Sequence, residues 1–278
     1  MNRRAQPWLG TMVEITADCE HAVLSAAFDA VADVHRLMSF HDSASDIARF
    51  NQAPAGACVP VHTHTWQVLQ LAAQVQTASD SMFNIACAPR LVDNGCLPAP
   101  AATAAMPVYS PAMAVFRCED DGMVRKLSDG WIDVGGIAKG YAVDLAVASL
   151  QAAGVRAGCV NAGGDLRVFG PRDWPVTIRD PRQPQSPHTQ LLLRDEALAT
   201  SATYFSRRPH HGNITSALLD GRDGMAMTGT SSVSIRAPQC ASADALTKVI
   251  MACGAPQHPA LASWQASAFI ICTSPDLA

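Results

Sequence analysis

The sequence predicts a mixed α+β fold, and three observations support this prediction. Strand-like and helix-like segments alternate along the 278 residues, but without the regular rhythm that a parallel sheet with crossover helices requires. Two runs, residues 23–37 and 64–79, place apolar residues at helical spacing. Hydrophobic residues make up 49% of the chain, so it can bury a sizeable core. We expect one domain over residues 1–278.

The remaining elements have weaker local signals. Residues 98–111 are rich in proline and alanine, and we expect a surface connection there because strand-like residues follow and no change of composition separates the flanks. A helix is predicted at 242–253. Strands are predicted at 8–16, 156–160 and 166–170, and in the segments LLLRD (191–195), SVSIRAP (232–238) and ASAFIIC (266–272).

The segment WIDVGGIAKGYAVDLAVASLQAAG, residues 131–154, joins a predicted strand to a predicted helix through Gly135 and Gly136. Adjacent glycines let the backbone approach a ligand, and the free N–H groups of a first helical turn suit an anion such as phosphate. A plain tight turn explains the same spacing. The segment is neither G-x-G-x-x-G nor a P-loop, so Rossmann and Walker nucleotide sites are both poorly supported.

Composition narrows the class of partner and the compartment. The net charge of −4, without a basic stripe, argues against nucleic acid. Nine cysteines without a C-x-x-C pair indicate neither a disulfide framework nor a zinc site, and are typical of a reducing, cytoplasm-like compartment. The N-terminus has no apolar run long enough for a signal peptide or a membrane span. We expect a cytoplasmic protein, or a periplasmic one if a leader was removed.

Three polar positions suggest chemistry when they are taken together. Asp133 lies beside the paired glycines, NAGGD occupies 161–165, and Asp244 opens the last predicted helix. Each alone has a structural explanation, because Asp favours helix starts and NAGGD suits a hairpin turn.

In order and wording, seven segments resemble the ApbE family of FAD:protein FMN transferases over nearly the whole chain. The two most specific are IDVGGIAKGYAVD at 132–144 and VNAGGDLRVFG at 160–170. The others are LGTMVEI (9–15), FHDSASDIARFN (40–51), SMFNIACAPRLV (81–92), ALATSATYFSRR (197–208) and SVSIRAPQCASADAL (232–246).

The resemblance implies an ApbE-like fold of mixed sheets packed with helices around a ligand cleft. It also implies an enzyme that binds FAD and, with Mg²⁺, joins its FMN half to a threonine or serine of an acceptor flavoprotein, releasing AMP. A divalent cation would neutralise the pyrophosphate before a hydroxyl attacks phosphorus. By position, the metal would lie at Gly136 and Asp244. The FAD would lie at Met82, Phe83, Asn84, Asp133, Lys139, Asn161, Gly163 and Gly164.

Two departures from the family pattern bear on activity. Ala217 stands where the family usually has a flavin-side histidine, and His210 or His211 could replace it. Lys248 stands four residues after Asp244, where the family commonly has threonine, and Thr247 precedes it. We expect Asp244 and Thr247 to bind the metal in a shifted register. The alternatives are a Lys248 ammonium that replaces part of the metal's charge, and a surface ion pair without a role.

Three functions remain open at this point. The first is an FMN transferase of a variant subgroup, possible without a strong base because positioning and electrostatics can carry phosphoryl transfer. The second is a carrier that binds FAD without transferring it, which the missing histidine favours. The third, a nucleotide-dependent dehydrogenase, lacks the acidic residue that a Rossmann site needs.

Overall fold

A seven-stranded antiparallel sheet organises the chain. The computed structural model describes residues 1–99, 105–120 and 122–272. The helices are α1 (His21–Met38), α2 (Asp46–Gln52), α3 (Thr63–Ala78), α4 (Ala88–Asp93), α5 (Ala138–Ala152), α6 (Cys240–Cys253) and α7 (Ala260–Ser263). The strands are β1 (Asn2–Trp8), β2 (Thr11–Ala17), β3 (Cys58–Pro60), β4 (Phe116–Cys118), β5 (Met123–Lys126), β6 (Gly158–Ala162), β7 (Asp165–Phe169), β8 (Trp174–Asp180), β9 (Gln183–Leu193), β10 (Ala197–Ala202), β11 (Arg208–His210), β12 (Asn213–Thr215), β13 (Ser232–Ala237) and β14 (Ser267–Ile271).

The large sheet has the strand order β1-β2-β6-β7-β10-β13-β14. Strand alternation gives it two different faces. On β2, Val13 and Ile15 face a core that also receives α1, α5 and α6, whereas Glu14 and Thr16 point to the opposite side. The sheet therefore carries its helices on one face, as the predicted α+β class requires.

The opposite face is covered in part by the two-stranded ribbon of β8 and β9. Trp174 and Ile178 of the ribbon pack on Leu166 and Leu198 of the sheet in a second, smaller apolar cluster. Beyond this cluster the face stays open toward β2 and β6. The ribbon and the sheet thus form two walls of a cavity.

Close helix packing beneath the sheet depends on Gly140. A Cβ at Gly140 would lie 2.3 Å from the carbonyl oxygen of Cys240, so only glycine lets α5 approach α6 this closely. Asp144, one turn further along α5, accepts hydrogen bonds from the N–H groups of Cys240 (3.0 Å) and Ala241 (2.8 Å) and thereby caps α6. The motif at 132–144 therefore fixes the start of α6 as well as the glycine turn.

The helix predictions at 23–37, 64–79 and 242–253 are confirmed as α1, α3 and α6. The strand predictions at 166–170 and in the last third are confirmed as β7, the end of β9, β13 and β14.

Three strand predictions need correction. Residues 131–134 form no strand, because the side chain of Asn51 takes the place of a neighbouring strand: it accepts from the Ile132 N–H (2.8 Å) and donates to the Ile132 carbonyl (2.9 Å). Residues 8–16 contain the turn of a hairpin, with positive φ at Leu9 (54°) and Gly10 (71°). The strand predicted at 156–160 begins later, as β6.

The surface connection predicted at 98–111 lies partly outside the described residues, which omit 100–104. Its described parts contain neither helix nor strand. In the part of the chain that the structure covers, no helix combines the length and the apolar character needed to cross a membrane.

Candidate functional site

A cavity of about 1160 Å³ lies between the open face of the sheet, the β8–β9 ribbon and the loops at one end of the sheet. It exceeds the roughly 300–1,000 Å³ of common small-molecule pockets, so it can take a dinucleotide-sized ligand. Strands β2, β6, β7 and β10 of the sheet and three loops contribute to its lining. The predicted site residues on its wall are Met82, Phe83, Asn84, Asp133, Gly136, Lys139, Asn161, Gly163 and Gly164.

The first loop, residues 82–84, supplies an apolar wall and a fixed amide. Phe83 is buried, and its N–H donates to the Ser79 hydroxyl (3.3 Å). Asn84 accepts from the Ala86 N–H (2.9 Å) and donates to the Tyr109 hydroxyl (3.0 Å). These bonds hold the loop in a single shape against the cavity.

The second loop carries Asp133 and the paired glycines. The Asp133 carboxylate accepts from the Gly135 N–H (3.1 Å), and the Asp133 N–H donates to the Ile85 carbonyl (2.9 Å), which ties this loop to the first. Burial raises the pKa of Asp133 despite the Gly135 hydrogen bond. A Cβ on Gly136 would lie 3.3 Å from the Phe83 ring and 3.5 Å from Cε of Lys248, so glycine lets these two side chains pack closely against the backbone of this loop.

The third loop is the β6–β7 hairpin turn within NAGGD. Gly163 and Gly164 have φ values of 66° and 110°, which a two-residue turn of this kind requires. Asn161 accepts from the Gly164 N–H (2.8 Å), and the Gly163 N–H donates to the Met12 carbonyl (3.2 Å). The hairpin explanation of NAGGD is therefore correct, and the same turn also lines the cavity.

A buried cluster of four charged side chains lies where these loops meet α5 and α6. Lys139 lies 2.7 Å from an Asp165 oxygen and 3.4 Å from an Asp244 oxygen. The Asp244 carboxylate also accepts from the Gly140 N–H (3.2 Å) and from the Lys248 ammonium. The side chains of Asp165 and Asp244 are only 5% and 1% exposed. Two carboxylates and two ammonium groups thus neutralise one another in a largely buried site.

Burial and mutual charge shift the pKa values in this cluster in opposite directions. Burial and the neighbouring Asp244 raise the pKa of Asp165. Burial alone would raise the pKa of Asp244 too, but Lys139 and Lys248 outweigh it and lower that pKa. Burial disfavours the Lys139 ammonium, yet Asp165 and Asp244 together raise its pKa. Lys139 and Asp244 are therefore charged at neutral pH.

The predicted metal ligands come together, but not as a cation site. Gly136 and Asp244 both approach Lys248, whose ammonium takes up one Asp244 oxygen while Lys139 and Gly140 take up the other. The Thr247 hydroxyl donates to the Asp244 carbonyl (2.6 Å) and pairs with the hydroxyl of Ser201 (2.6 Å), a residue of the cavity wall, whereas Thr247 itself does not line the cavity. Within the described ranges, no three His, Cys, Asp or Glu side chains converge as ligands. These donors do not fit Mg²⁺. The Asp244–Lys248 pair is also buried, so the interpretation as a surface ion pair is wrong.

Ala217 lies exposed on the cavity wall, so the position of the missing histidine faces the ligand space. His210 is engaged elsewhere: its Nε2–H donates to the Asp93 carbonyl (2.9 Å). The His211 ring packs on His210 at 4.2 Å. Neither histidine is among the residues that line the cavity, so neither occupies the place that Ala217 leaves.

Sequence reasoning overlooked three contributors. Asp165 closes the NAGGD motif and could have been found as its only ionisable residue. The Ser201 hydroxyl pairs with the Thr247 hydroxyl, 46 positions further along the sequence, and no local sequence pattern indicates such a contact. The ribbon residues 174–179 form one wall of the cavity, although the proline-rich stretch that follows them gave no sign of a strand pair.

Comparison with known proteins agrees with this architecture. The sequence profile of the ApbE family matches residues 9–271. A relative from Rhodobacter capsulatus named FAD:protein FMN transferase is 37% identical over 135 residues, 48% of this chain and 26% of that protein. A relative of the same name from Vibrio cholerae serotype O1 is 25% identical over 243 residues, 83% of this chain and 73% of that protein. The chain thus spans about a quarter of the first relative and most of the second.

Two solved structures share the fold. The ApbE protein from Thermotoga maritima superposes with a TM-score of 0.78 at 25% identity, covering 90% of this chain and 86% of that one. The apo form of the Pseudomonas stutzeri flavinyl transferase ApbE gives a TM-score of 0.80 at 22% identity, covering 98% and 91%. The family match runs through all three cavity loops and through α5 and α6, the helices that carry Lys139, Asp244 and Lys248. This chain therefore belongs to the ApbE family.

Proposed function

We propose that this protein transfers the FMN half of FAD to a threonine or serine hydroxyl of an acceptor protein and releases AMP. The observation that carries the proposal is that three loops, which the family resemblance assigns to FAD, all contribute to one large cavity: residues 81–84, 133–140 and 161–165. The names of the relatives support both the flavin and the transfer.

In the proposed reaction, the acceptor oxygen attacks the phosphorus that carries the riboflavin. The bond from that phosphorus to the bridging oxygen of the pyrophosphate breaks, and its electron pair leaves with AMP. The hydroxyl proton passes to water or to the AMP phosphate. Negative charge on the phosphoryl oxygens must be stabilised during this step, and preorganised positive groups in a site with little water do so effectively.

The residues of this chain suit separate parts of that task. Met82 and Phe83 offer an apolar surface for the flavin ring. Lys139, held by Asp165 and Asp244, brings a fixed positive charge to the cavity wall. Asn161 and the turn glycines keep the backbone close to the ligand. No histidine acts as a base at Ala217, so we expect slow transfer, because general acid–base help contributes about 10²–10⁴-fold.

A second function, FAD binding without transfer, is favoured by one observation: Ala217 faces the cavity where the family usually has its histidine. A carrier would use the same cavity and the same apolar wall. It would hold FAD intact and release it unchanged.

Incubation of the protein with FAD, MgCl₂ and a peptide that carries an acceptor threonine separates these functions. We expect a peptide whose mass increases by one FMN less water, together with an equal amount of AMP. FMN in place of FAD is the matched control and should give no adduct, because it has no pyrophosphate to break. FAD recovered intact from the protein, without adduct or AMP, would establish the carrier instead.

All nine cysteines are free thiols. This supports a reducing compartment such as the cytoplasm as the place of action.

A further inference from the structure

Lysine is unusually scarce in this chain, and its distribution points to the charged cluster. The sequence contains three lysines among its 20 basic residues, Lys126, Lys139 and Lys248. Lys126 and Lys248 are buried, and Lys139 is partly buried. Lys126 binds the carbonyl oxygens of Phe50 (3.3 Å) and Asn51 (2.8 Å) at the end of α2, which is a structural role. The other two both contact Asp244.

The Lys248 ammonium is held by Asp244 but still faces the cavity. It donates to the Asp244 carbonyl oxygen (2.9 Å) and to one Asp244 carboxylate oxygen. An ammonium has three N–H donors, so these two contacts leave one for a ligand. Lys248 lines the cavity although its side chain is only 10% exposed. Its stem packs under Gly136, so the charge lies between the glycine turn and α6.

The contacts of Asp244 and the two neighbouring ammonium groups leave no suitable binding site for a divalent cation. It would need oxygens of Asp244 that already bind Lys139, Lys248 and the Gly140 N–H. It would also lie within a few ångströms of two ammonium groups, and like charges in a buried site repel strongly. The Thr247 hydroxyl, the other candidate ligand, is engaged by both the Asp244 carbonyl and the Ser201 hydroxyl, and Thr247 is not among the residues that line the cavity.

We propose that the Lys248 ammonium takes the place of the divalent cation in this chain, donating to a pyrophosphate oxygen of FAD so that FAD binds and reacts without Mg²⁺. The bonds made and broken remain those of the proposed transfer. The identity of the ligand rests on the proposed function, whereas the replacement of the metal rests on the contacts of Lys248.

The test is a titration of FAD binding by flavin fluorescence, first in EDTA and then in excess MgCl₂. The wild-type protein should bind FAD with the same affinity in both. Lys248→Met should weaken binding about tenfold or more, since a hydrogen bond to a charged group is lost. Lys248→Arg, which keeps the charge, should lose less affinity for FAD than Lys248→Met does. Lys248→Thr should bind weakly in EDTA and regain affinity with Mg²⁺.

A second readout uses the metal alone. Mn²⁺ binding, followed by its electron paramagnetic resonance signal without FAD, should be absent in the wild type and present in Lys248→Thr. Thr247→Val is the matched control beside it and should change neither readout. Circular dichroism verifies that each variant is folded, and the wild-type comparison needs no variant at all.

The outcomes separate the two levels of the proposal. FAD binding by the wild type that requires Mg²⁺ overturns the role of Lys248, while FAD remains the ligand. Mn²⁺ binding by the wild type that is lost in Thr247→Val also overturns it, and restores the shifted metal site. Absence of FAD binding in both buffers overturns the assignment of the cavity to FAD, and the inference with it.

Discussion

Replacement of Lys139 by methionine tests whether the charged cluster is as tightly balanced as its geometry implies. Lys139 is the ion-pair partner of Asp165 at 2.7 Å, and the Asp165 side chain is 5% exposed. Asp244 keeps Lys248 in the variant, but Asp165 loses its nearest cation. Removing one partner of a buried pair costs about 3–5 kcal/mol, because the other charge stays buried without compensation.

The cost should depend on pH in a definite direction. The pKa of Asp165 is already raised in the folded protein, and it rises further once Lys139 no longer lowers it. A raised folded pKa contributes stability below the unfolded value, near 4, and that stability is lost as pH rises through the folded pKa. The destabilisation by Lys139→Met should therefore be largest at pH 8 and smaller at pH 5.

Urea unfolding followed by tryptophan fluorescence measures this free energy. The double variant Lys139→Met/Asp165→Asn should be more stable than Lys139→Met alone, since both charges are then gone. Arg36→Met is the control: Arg36 pairs with Asp33 at 2.9 Å, but the side chains are 64% and 57% exposed, so the loss should stay below about 1 kcal/mol. If Lys139→Met costs no more than Arg36→Met at pH 8, the cluster is not the buried network described here.

Three further predictions each concern a single residue. Asp144→Ala removes the cap of α6 and should lower the free energy of unfolding by about 1.5–3 kcal/mol, measured in urea. Gly140→Ala should destabilise by about 1–3 kcal/mol because its Cβ would meet the Cys240 carbonyl at 2.3 Å, and the exposed Ala148→Gly on the same helix gives the propensity control of about 1 kcal/mol. Ala217→His should speed transfer to a threonine peptide at saturating FAD, and an unchanged rate would mean that no base acts at that position.

Local signals in the sequence were sufficient for much of the fold. The apolar spacing of α1 is explicit in the chain, and Leu24, Phe28 and Val31 are indeed buried. The NAGGD turn was equally readable, because adjacent glycines satisfy the positive φ values of a two-residue hairpin.

The misplaced elements depend on distant partners. Residues 131–134 have the composition of a strand, but Asn51 binds both backbone groups of Ile132 from 81 positions away, which no window of neighbouring residues can indicate. The turn at Leu9 was missed because leucine rarely adopts positive φ.

The candidate site was predicted in its parts but not in its charge balance. The family resemblance named Lys139 and Asp244, and both lie in the cluster. The partnership of Lys139 with Asp165 depends on how α5 crosses β7, so only the structure could reveal it. Likewise, the spacing of Asp244 and Thr247 allowed a shared metal, but the Thr247 hydroxyl turns to Ser201 instead.

A crystal structure of the protein grown with FAD and Mg²⁺ tests the account most directly. The account predicts the flavin against Phe83, a pyrophosphate oxygen within hydrogen-bond distance of the Lys248 ammonium, and no metal between Gly136 and Asp244. A Mg²⁺ ion bound to Asp244 with Lys248 turned away, or FAD bound outside the cavity, would contradict it.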